Sequence, residues 1–469
     1  MSALFAVVLV TVAGLPLAFA LTRSVPFAAL FAPLVAALVF TVATIAMLIV
    51  GGPLVPWLVA ALVAEVALAA VLLRRGGGRL LHGSWVDAVW LVVPLAVPCV
   101  FFLAQPLNWD AHSIWWLHAA YFTKGAEFSR YTIGNPLCHD LQCDYPPLPS
   151  ATQAAAWSVL SGYDYRVAQA LSTVVTLSAI VMLGLAVRTV TDRAPAIVSR
   201  LAAVGVMVAV WATAPATITG GQADPVWSAA FVAGAVLLLY GRDPWQRPTL
   251  PLLLLAVAAL SKNEGFVQVV MFAALLTLRE RRNLRRAWMV WIPVAAGGVW
   301  SALVRSLGAS TDLVKGGHFR GLITGDPAVL DRIPPTLGAM WDVIGMITVL
   351  SLAVALLGAL FLRGRRRELG MGSDAWMWLV AFAYAGTLVV TYAISMHDLE
   401  WHLVTSLGRV TIPLVLMACA SAACWAAVAV AGDGHRAVGD DTAVDDTAGR
   451  PARAGEPEPD HEPPVRARS

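Results

Sequence analysis

Several side chains that could carry chemistry lie in one polar stretch, residues 108–145, of a chain that is otherwise strongly apolar. The first acid of this stretch, Asp110, directly follows an apolar run, where a carboxylate could act as general base on an acceptor hydroxyl. An Asp in this place could instead cap a helix by accepting hydrogen bonds from unpaired backbone amides. The nearby side chains that we take as candidate substrate contacts are Trp109, His112 and Tyr145.

Two short segments between later apolar runs carry further charges. Asp224 precedes Pro225 at the start of a run, a position typical of a helix cap but also open to substrate or metal contact. Lys262 and Glu264 lie in a turn, residues 261–265, between two apolar arms. They could pair with each other, or Lys262 could hold a lipid phosphate.

A third segment, residues 397–409, combines histidine with arginine. His397, His402 and Arg409 are of the types that bind phosphate or sugar. The alternative is a solvated loop at the membrane interface, with Arg409 extending its charge towards water.

Two of the five cysteines, Cys138 and Cys143, lie five residues apart in the polar stretch. In an oxidising compartment this spacing favours a disulfide. Free thiols, or a metal site that also uses His139 and Asp140, are the alternatives. The other cysteines lie in apolar runs and are expected to pack as small hydrophobic residues.

The composition predicts an all-α polytopic membrane protein. The 469 residues are 59% hydrophobic and 13% charged, against about 25% charged in soluble domains. Apolar runs near the roughly 20 residues needed to cross a bilayer predict about thirteen transmembrane helices. Backbone polar groups cannot be satisfied by lipid, so these spans must be helical. The partner implied is the lipid bilayer, and nothing indicates nucleic acid.

The arginines predict which loops are cytoplasmic, because basic residues are concentrated on that side. Placing these arginines inside puts the N-terminus and a long first loop, residues 105–147, outside. The clusters are Arg74, Arg75 and Arg79; Arg188, Arg193 and Arg200; Arg242 and Arg247; Arg279, Arg281, Arg282, Arg285 and Arg286; and Arg363, Arg365, Arg366 and Arg367.

The two arms of the later turn, 249–261 and 266–279, are unusually short. An arm of about 13 residues rises roughly 20 Å, whereas the apolar core of a bilayer is near 30 Å. The turn with Lys262 should therefore lie within the membrane or in a cavity open to the outer side. Charged residues at such depth are costly and usually functional.

This topology places the acids, the lysine, the histidines and Arg409 on one side, which predicts a single extracytoplasmic cavity. The chain then divides into three N-terminal helices (1–85), a membrane core (86–305), C-terminal helices with outer loops (306–431) and a disordered cytoplasmic tail (432–469). The tail is rich in charged residues and proline and cannot bury a core.

The arrangement resembles the integral-membrane glycosyltransferases of the GT-C fold, the group of the protein O-mannosyltransferases and the aminoarabinose lipid A transferases. An acid follows a span in a long first outer loop, and this loop closes at residues 144–148, Asp-Tyr-Pro-Pro-Leu. A segment at 161–166 resembles the family's Gly-to-Arg step into the next span. Asp224 stands where a second outer acid is expected, and residues 261–265 resemble a short Lys-Gly hairpin. The resemblance covers about residues 86–305.

The resemblance implies transfer of a sugar, with inversion, from a polyprenyl-phosphate donor to a glycan, lipid or protein acceptor. Asp110 would deprotonate the acceptor, while Lys262 and one or more of His397, His402 and Arg409 would hold the departing phosphate. A divalent metal, Mg²⁺ or Mn²⁺, could bind if Asp110 and Asp224 face each other. The implied location is the plasma (inner) membrane, with a role in the cell envelope. The composition, rich in Ala, Val and Arg, suggests a bacterial host.

Two other functions are compatible with the sequence. A lipid-linked glycan polymerase or ligase also uses such donors, but these proteins tend to place their large loop late in the chain. A transporter or flippase often shows internal repeats and interrupted helices. No convincing repeat relates the two halves of this chain.

Overall fold

The computed structural model describes residues 2–75, 81, 83–104, 109–160, 162–242, 244–309, 316–362 and 373–431. Every regular element in these residues is helical, and they contain no strand. The tail expected to be disordered, residues 432–469, lies outside the described residues. The all-helical prediction is therefore confirmed for the part of the chain that can be compared.

The helices follow each other with short connections. They are α1 (Ser2–Thr22), α2 (Val25–Val50), α3 (Leu54–Arg74), α4 (Trp85–Val92), α5 (Ala96–Ala104), α6 (Trp116–Phe122), α7 (Ala126–Ile133), α8 (Leu148–Leu160), α9 (Tyr165–Val190), α10 (Ala196–Val208), α11 (Asp224–Tyr240), α12 (Thr249–Ser261), α13 (Asn263–Arg279), α14 (Leu284–Met289), α15 (Trp291–Ser306), α16 (Gly316–Thr324), α17 (Pro327–Leu330), α18 (Ile333–Phe361), α19 (Asp374–Ile394), α20 (Leu399–Val410) and α21 (Ile412–Val430).

The long apolar helices make the chain a multi-pass membrane protein. Eight segments of the described residues are long and apolar enough to cross a bilayer: Ser2–Thr22, Val25–Val50, Leu54–Arg74, Tyr165–Val190, Leu284–Ser306, Pro327–Phe361, Asp374–Ile394 and Leu399–Val430. Four shorter apolar segments accompany them: Trp85–Val100, Ala196–Trp211, Asp224–Tyr240 and Thr249–Ser261. The full count of about thirteen spans stays a prediction.

The centre of the bundle is α11, which is buried along its whole length. It packs against α9 on one side and α12 on another, and α9 in turn packs against α2 and α10. Such all-round burial matches its sequence, which is apolar on every face after the first acid, Asp224. The beginning of α11 thereby carries Asp224 into the interior.

The hairpin of α12 and α13 is broken at one residue. Lys262 adopts an extended backbone with φ −161° and ψ 155°, between a helix of 13 residues and one of 17. The arms pack closely at Gly265, where a Cβ atom would lie 2.3 Å from the Ala258 carbonyl oxygen. A larger residue there would push the arms apart, so the glycine is required by this packing.

The hydropathy and the arginine clusters also predict a span at about 201–219 and an outer loop at 396–408, and the structure differs at both. Residues 396–408, expected as a loop, mostly form α20, because Asp398 caps this helix by accepting from the Trp401 amide. The expected span 201–219 instead ends its α-helix at Val208 and continues as short 3-10 turns. Pro215 in this stretch lacks the amide hydrogen that a continuing helix needs.

Candidate functional site

Asp110 points its carboxylate at residues from distant parts of the chain. Its Oδ2 accepts from Gln222 Nε2 at 3.2 Å and forms an ion pair with Arg409 Nη1 on α20. It precedes a single π-helical turn, Ala111–Trp115, but makes no side-chain capping hydrogen bond. The cap alternative is therefore not what the side chain does, and its contacts are those of a polar cluster.

The contact with Gln222 depends on a turn that requires glycine. Gly221 has φ +79°, a backbone conformation that is unfavourable for any residue that carries a Cβ atom. A Cβ there would also lie 2.8 Å from the Ala111 Cβ and 3.2 Å from the Trp116 ring. Gly221 thus lets the turn before α11 pack directly on the helical turn after Asp110, which brings Gln222 within reach.

Asp224, Lys262 and Glu264 form a second group of charges. Lys262 Nζ lies 2.9 Å from Asp224 Oδ1 and 3.0 Å from Glu264 Oε1. The three side chains are 8%, 2% and 19% exposed for Lys262, Asp224 and Glu264 respectively. Asp224 is the first residue of α11, and the residue at the N-cap position is Ala223. The Asp224 carboxylate therefore does not serve as the N-cap and instead pairs with Lys262.

The end of the polar stretch is fastened to the hairpin. Asn263 Nδ2 donates to Asp144 Oδ2 at 2.7 Å, and Trp300 Nε1 donates to the Asp144 carbonyl at 2.9 Å. Lys262 Nζ lies 5.7 Å from the centre of the Tyr145 ring, a cation–π distance. Tyr145 therefore forms one wall beside the lysine.

The two histidines lie close to Arg409 in the sequence, His402 on the same helix and His397 just before it. His402 Nδ1 is 2.9 Å from Ser395 Oγ, and its ring lies against Tyr392 with centroids 4.7 Å apart. His397 packs on His402 with centroids 5.5 Å apart. His402, Ser406 and Arg409 follow each other at helical spacing on one face of α20.

Trp109 and His112 stand apart from the ion pairs. Trp109 is 59% exposed, as expected for a tryptophan that anchors a helix end at a membrane interface. His112 Nδ1 is 3.0 Å from the neighbouring Ser113 Oγ. Sequence reasoning did not single out Asn263 and Asp144 as partners, and only their adjacency to Lys262 and Tyr145 could have indicated them.

The structure joins Cys138 and Cys143 in a disulfide, with their Cα atoms 5.8 Å apart. Between them, the Leu141 carbonyl oxygen lies 2.9 Å from Nε2 of the buried His118. Burial lowers the pKa of His118 to about 4, against the opposing effect of this hydrogen bond. The ring is therefore neutral near pH 7 and fixes the disulfide loop to α6.

The charges of the cluster bear on the metal prediction. Asp110 and Asp224 each lie against a cation, Arg409 and Lys262 respectively. A metal ion between the two acids would have to displace both cations. No group of three or more His, Cys, Asp or Glu side chains able to hold a metal occurs within the described ranges. As arranged, these residues do not fit a metal ion. The metal site between Asp110 and Asp224 stays a prediction from the sequence.

Comparison with known proteins adds no family to this geometry. No protein-family model, curated protein or solved structure matches the chain. The chemistry of the site is therefore argued from its own residues.

Proposed function

We propose that this protein transfers a sugar from a polyprenyl-phosphate donor to an acceptor hydroxyl at the extracytoplasmic face of the plasma membrane. The acceptor is a glycan, a lipid or a protein. The proposal extends the GT-C resemblance of residues 86–305 to the site assembled around Asp110. The arginine-rich loops at the opposite helix ends support the outward orientation.

The observation that carries the proposal is the largely buried cluster of Asp110, Arg409, Asp224, Lys262 and Glu264 inside the helical bundle. Its members come from four separate segments and interact over long sequence separations. A single structural ion pair would not need such convergence. An acid beside two cations suits a reaction in which a hydroxyl loses a proton while a phosphate leaves.

The reaction proceeds by a single displacement. The acceptor oxygen attacks the anomeric carbon, forming the new glycosidic bond while the bond from this carbon to the phosphate oxygen breaks. The electron pair leaves with the lipid phosphate, and the acceptor proton passes to the Asp110 carboxylate. Lys262 and Arg409 stabilise the negative charge that grows on the phosphate. Because the acceptor oxygen attacks from the face opposite the leaving phosphate, the configuration at the anomeric carbon is inverted.

A transfer assay with a labelled polyprenyl-phosphate sugar in membranes tests the proposal. We expect Asp110→Asn to lose transfer by about a hundredfold or more, the typical worth of a general base. Glu127→Gln on α7 is the matched control, since it removes an exposed acid outside the cluster. Equal transfer by Asp110→Asn and wild type would remove Asp110 from the mechanism. No transfer by wild type with any labelled lipid-linked sugar would contradict the proposed function.

A further inference from the structure

The ion pair between Asp110 and Arg409 has a consequence for the order of binding. It joins the proposed base to one of the two cations proposed to hold the donor phosphate. In this arrangement, the base and the phosphate ligand neutralise each other. Arg409 and Gln222 both donate to Oδ2, so neither lone pair of this oxygen is left for the proton of an acceptor hydroxyl.

We infer that the donor phosphate competes with Asp110 for Arg409, so that donor binding exchanges one anion for another and releases the base. This inference rests on the proposed function. The exchange makes Arg409 a positioning residue for Asp110 as well as a phosphate ligand.

Lys262 and Arg409 differ in their carboxylate partners and in their exposure, and this difference indicates where the exchange takes place. Lys262 lies between two carboxylates and is the less exposed cation, at 8%. The Arg409 side chain is 19% exposed and that of Asp110 is 24% exposed, so this ion pair lies closer to the open side of the cluster. A phosphate therefore reaches Arg409 at a smaller cost than it reaches Lys262.

Arg409 also retains unused hydrogen-bonding capacity. Its Nε is buried and has no hydrogen-bond partner among the described residues. A guanidinium presents donors in a planar fork that matches two phosphate oxygens at once. A phosphate on the edge formed by Nε and Nη2 satisfies this nitrogen and brings a second anion against the charge that Asp110 neutralises, which weakens the pair through Nη1.

After the exchange, Asp110 keeps a partner that holds its direction. Gln222 Nε2 donates to the same carboxylate oxygen at 3.2 Å, and a neutral amide leaves the carboxylate able to take a proton. The base is then competent when the donor is seated. An acceptor that arrives first meets a base that is still paired, which predicts ordered binding with the donor first.

The test measures dissociation constants of a long-chain polyprenyl monophosphate, without sugar, for the full-length protein in lipid nanodiscs. We expect Asp110→Asn to bind this lipid at least about fivefold more tightly than wild type, because the competing carboxylate is gone. Arg409→Gln should bind it more weakly. In the Arg409→Gln background, the gain from Asp110→Asn should vanish, which separates competition for Arg409 from a general loss of negative charge.

The control and the contrary outcomes are distinct. Glu127→Gln, which removes an exposed acid on α7, should bind the lipid as wild type does. Tighter binding cannot result from a damaged fold, so a gain in affinity is specific. Unchanged or weaker binding by Asp110→Asn would overturn the exchange and leave the proposed function standing. No binding of the lipid by wild type would overturn both.

Discussion

At the scale of single residues, the site depends on a lysine placed where lysine is costly. Lys262 is buried between Asp224 and Glu264 at 2.9 and 3.0 Å. The attraction between these charges offsets the loss of hydration only while all three are present. Removing the cation leaves two buried carboxylates facing each other.

We therefore expect Lys262→Met to lower the free energy of unfolding by about 3–5 kcal/mol. Lys124→Met is the control, since Lys124 is exposed and contacts the Tyr163 ring at 5.4 Å. This control should cost about 1 kcal/mol or less. Thermal unfolding in detergent measures both, and equal losses in the two variants would show that the buried charges are not coupled.

His118 gives the protein a pH dependence of stability. Its pKa of about 4 in the folded protein lies below the ordinary histidine value of 6.5. Between these values the unfolded chain binds more protons, so stability falls as the pH drops from 6.5 towards 4. The loss is on the order of 3 kcal/mol over the whole window. Melting temperatures from pH 7.5 to pH 5 should show a slope that His118→Gln flattens and His112→Gln leaves in place.

At the scale of elements, helix α1 is held by a polar contact within the bundle. Pro16 lies inside α1, where it has no amide hydrogen to donate and its ring crowds the carbonyl four residues earlier. The next amide, Leu17 N–H, donates to Glu65 Oε1 on α3 at 3.2 Å. Glu65 is buried, so this hydrogen bond ties α3 to α1 directly beside the proline.

Replacing Glu65 should therefore matter through Leu17. We expect Glu65→Leu to destabilise the protein by about 1–3 kcal/mol, the cost of an unpaired buried amide, and Glu65→Gln to cost much less. Unfolding of Glu65→Leu in the Pro16→Ala background measures the coupling. A smaller cost there would show that a regular α1 satisfies its own amide, whereas an unchanged cost would assign Glu65 a different role.

The helices also show which elements can be predicted from the sequence. The first arm of the hairpin was predicted as 249–261, and α12 is Thr249–Ser261, because its apolar run is bounded by proline and lysine. Helix α20 was not predicted, since its histidines, acid and arginine interrupt the hydropathy. Its apolar residues nevertheless recur at helical spacing, at Leu399, Leu403 and Leu407. Amphipathic periodicity, rather than mean hydropathy, would have found it.

At the scale of the whole molecule, the pairing of charges was beyond the sequence. Asp110, Lys262 and Arg409 were each named from their type and place along the chain. That Asp110 meets Arg409 while Asp224 meets Lys262 follows from how α11, α13 and α20 pack. The sequence also proposed a metal between the acids, because it could not place a cation at each of them. Tertiary packing, not local pattern, decides such partners.

The proposed orientation of the whole protein can be tested with single cysteines. We expect Glu127→Cys to react with a membrane-impermeant maleimide added outside cells, and Arg281→Cys to react only after permeabilisation. Both positions are exposed, so access depends on the side of the membrane. The background would carry alanine at the free cysteines Cys99, Cys419 and Cys424. The reverse pattern would place the Asp110 cluster on the cytoplasmic side.

The ion pair between Asp110 and Arg409 joins residues that are synthesised at different times. The two residues are 299 positions apart. At about 5–20 residues synthesised per second, the acid emerges roughly 15–60 s before its cation. Throughout that interval, the nascent chain carries an acid without the cation that later neutralises it. A chain that ends before α20 thus keeps the carboxylate of Asp110 in the bundle without the guanidinium that pairs with it in the complete site.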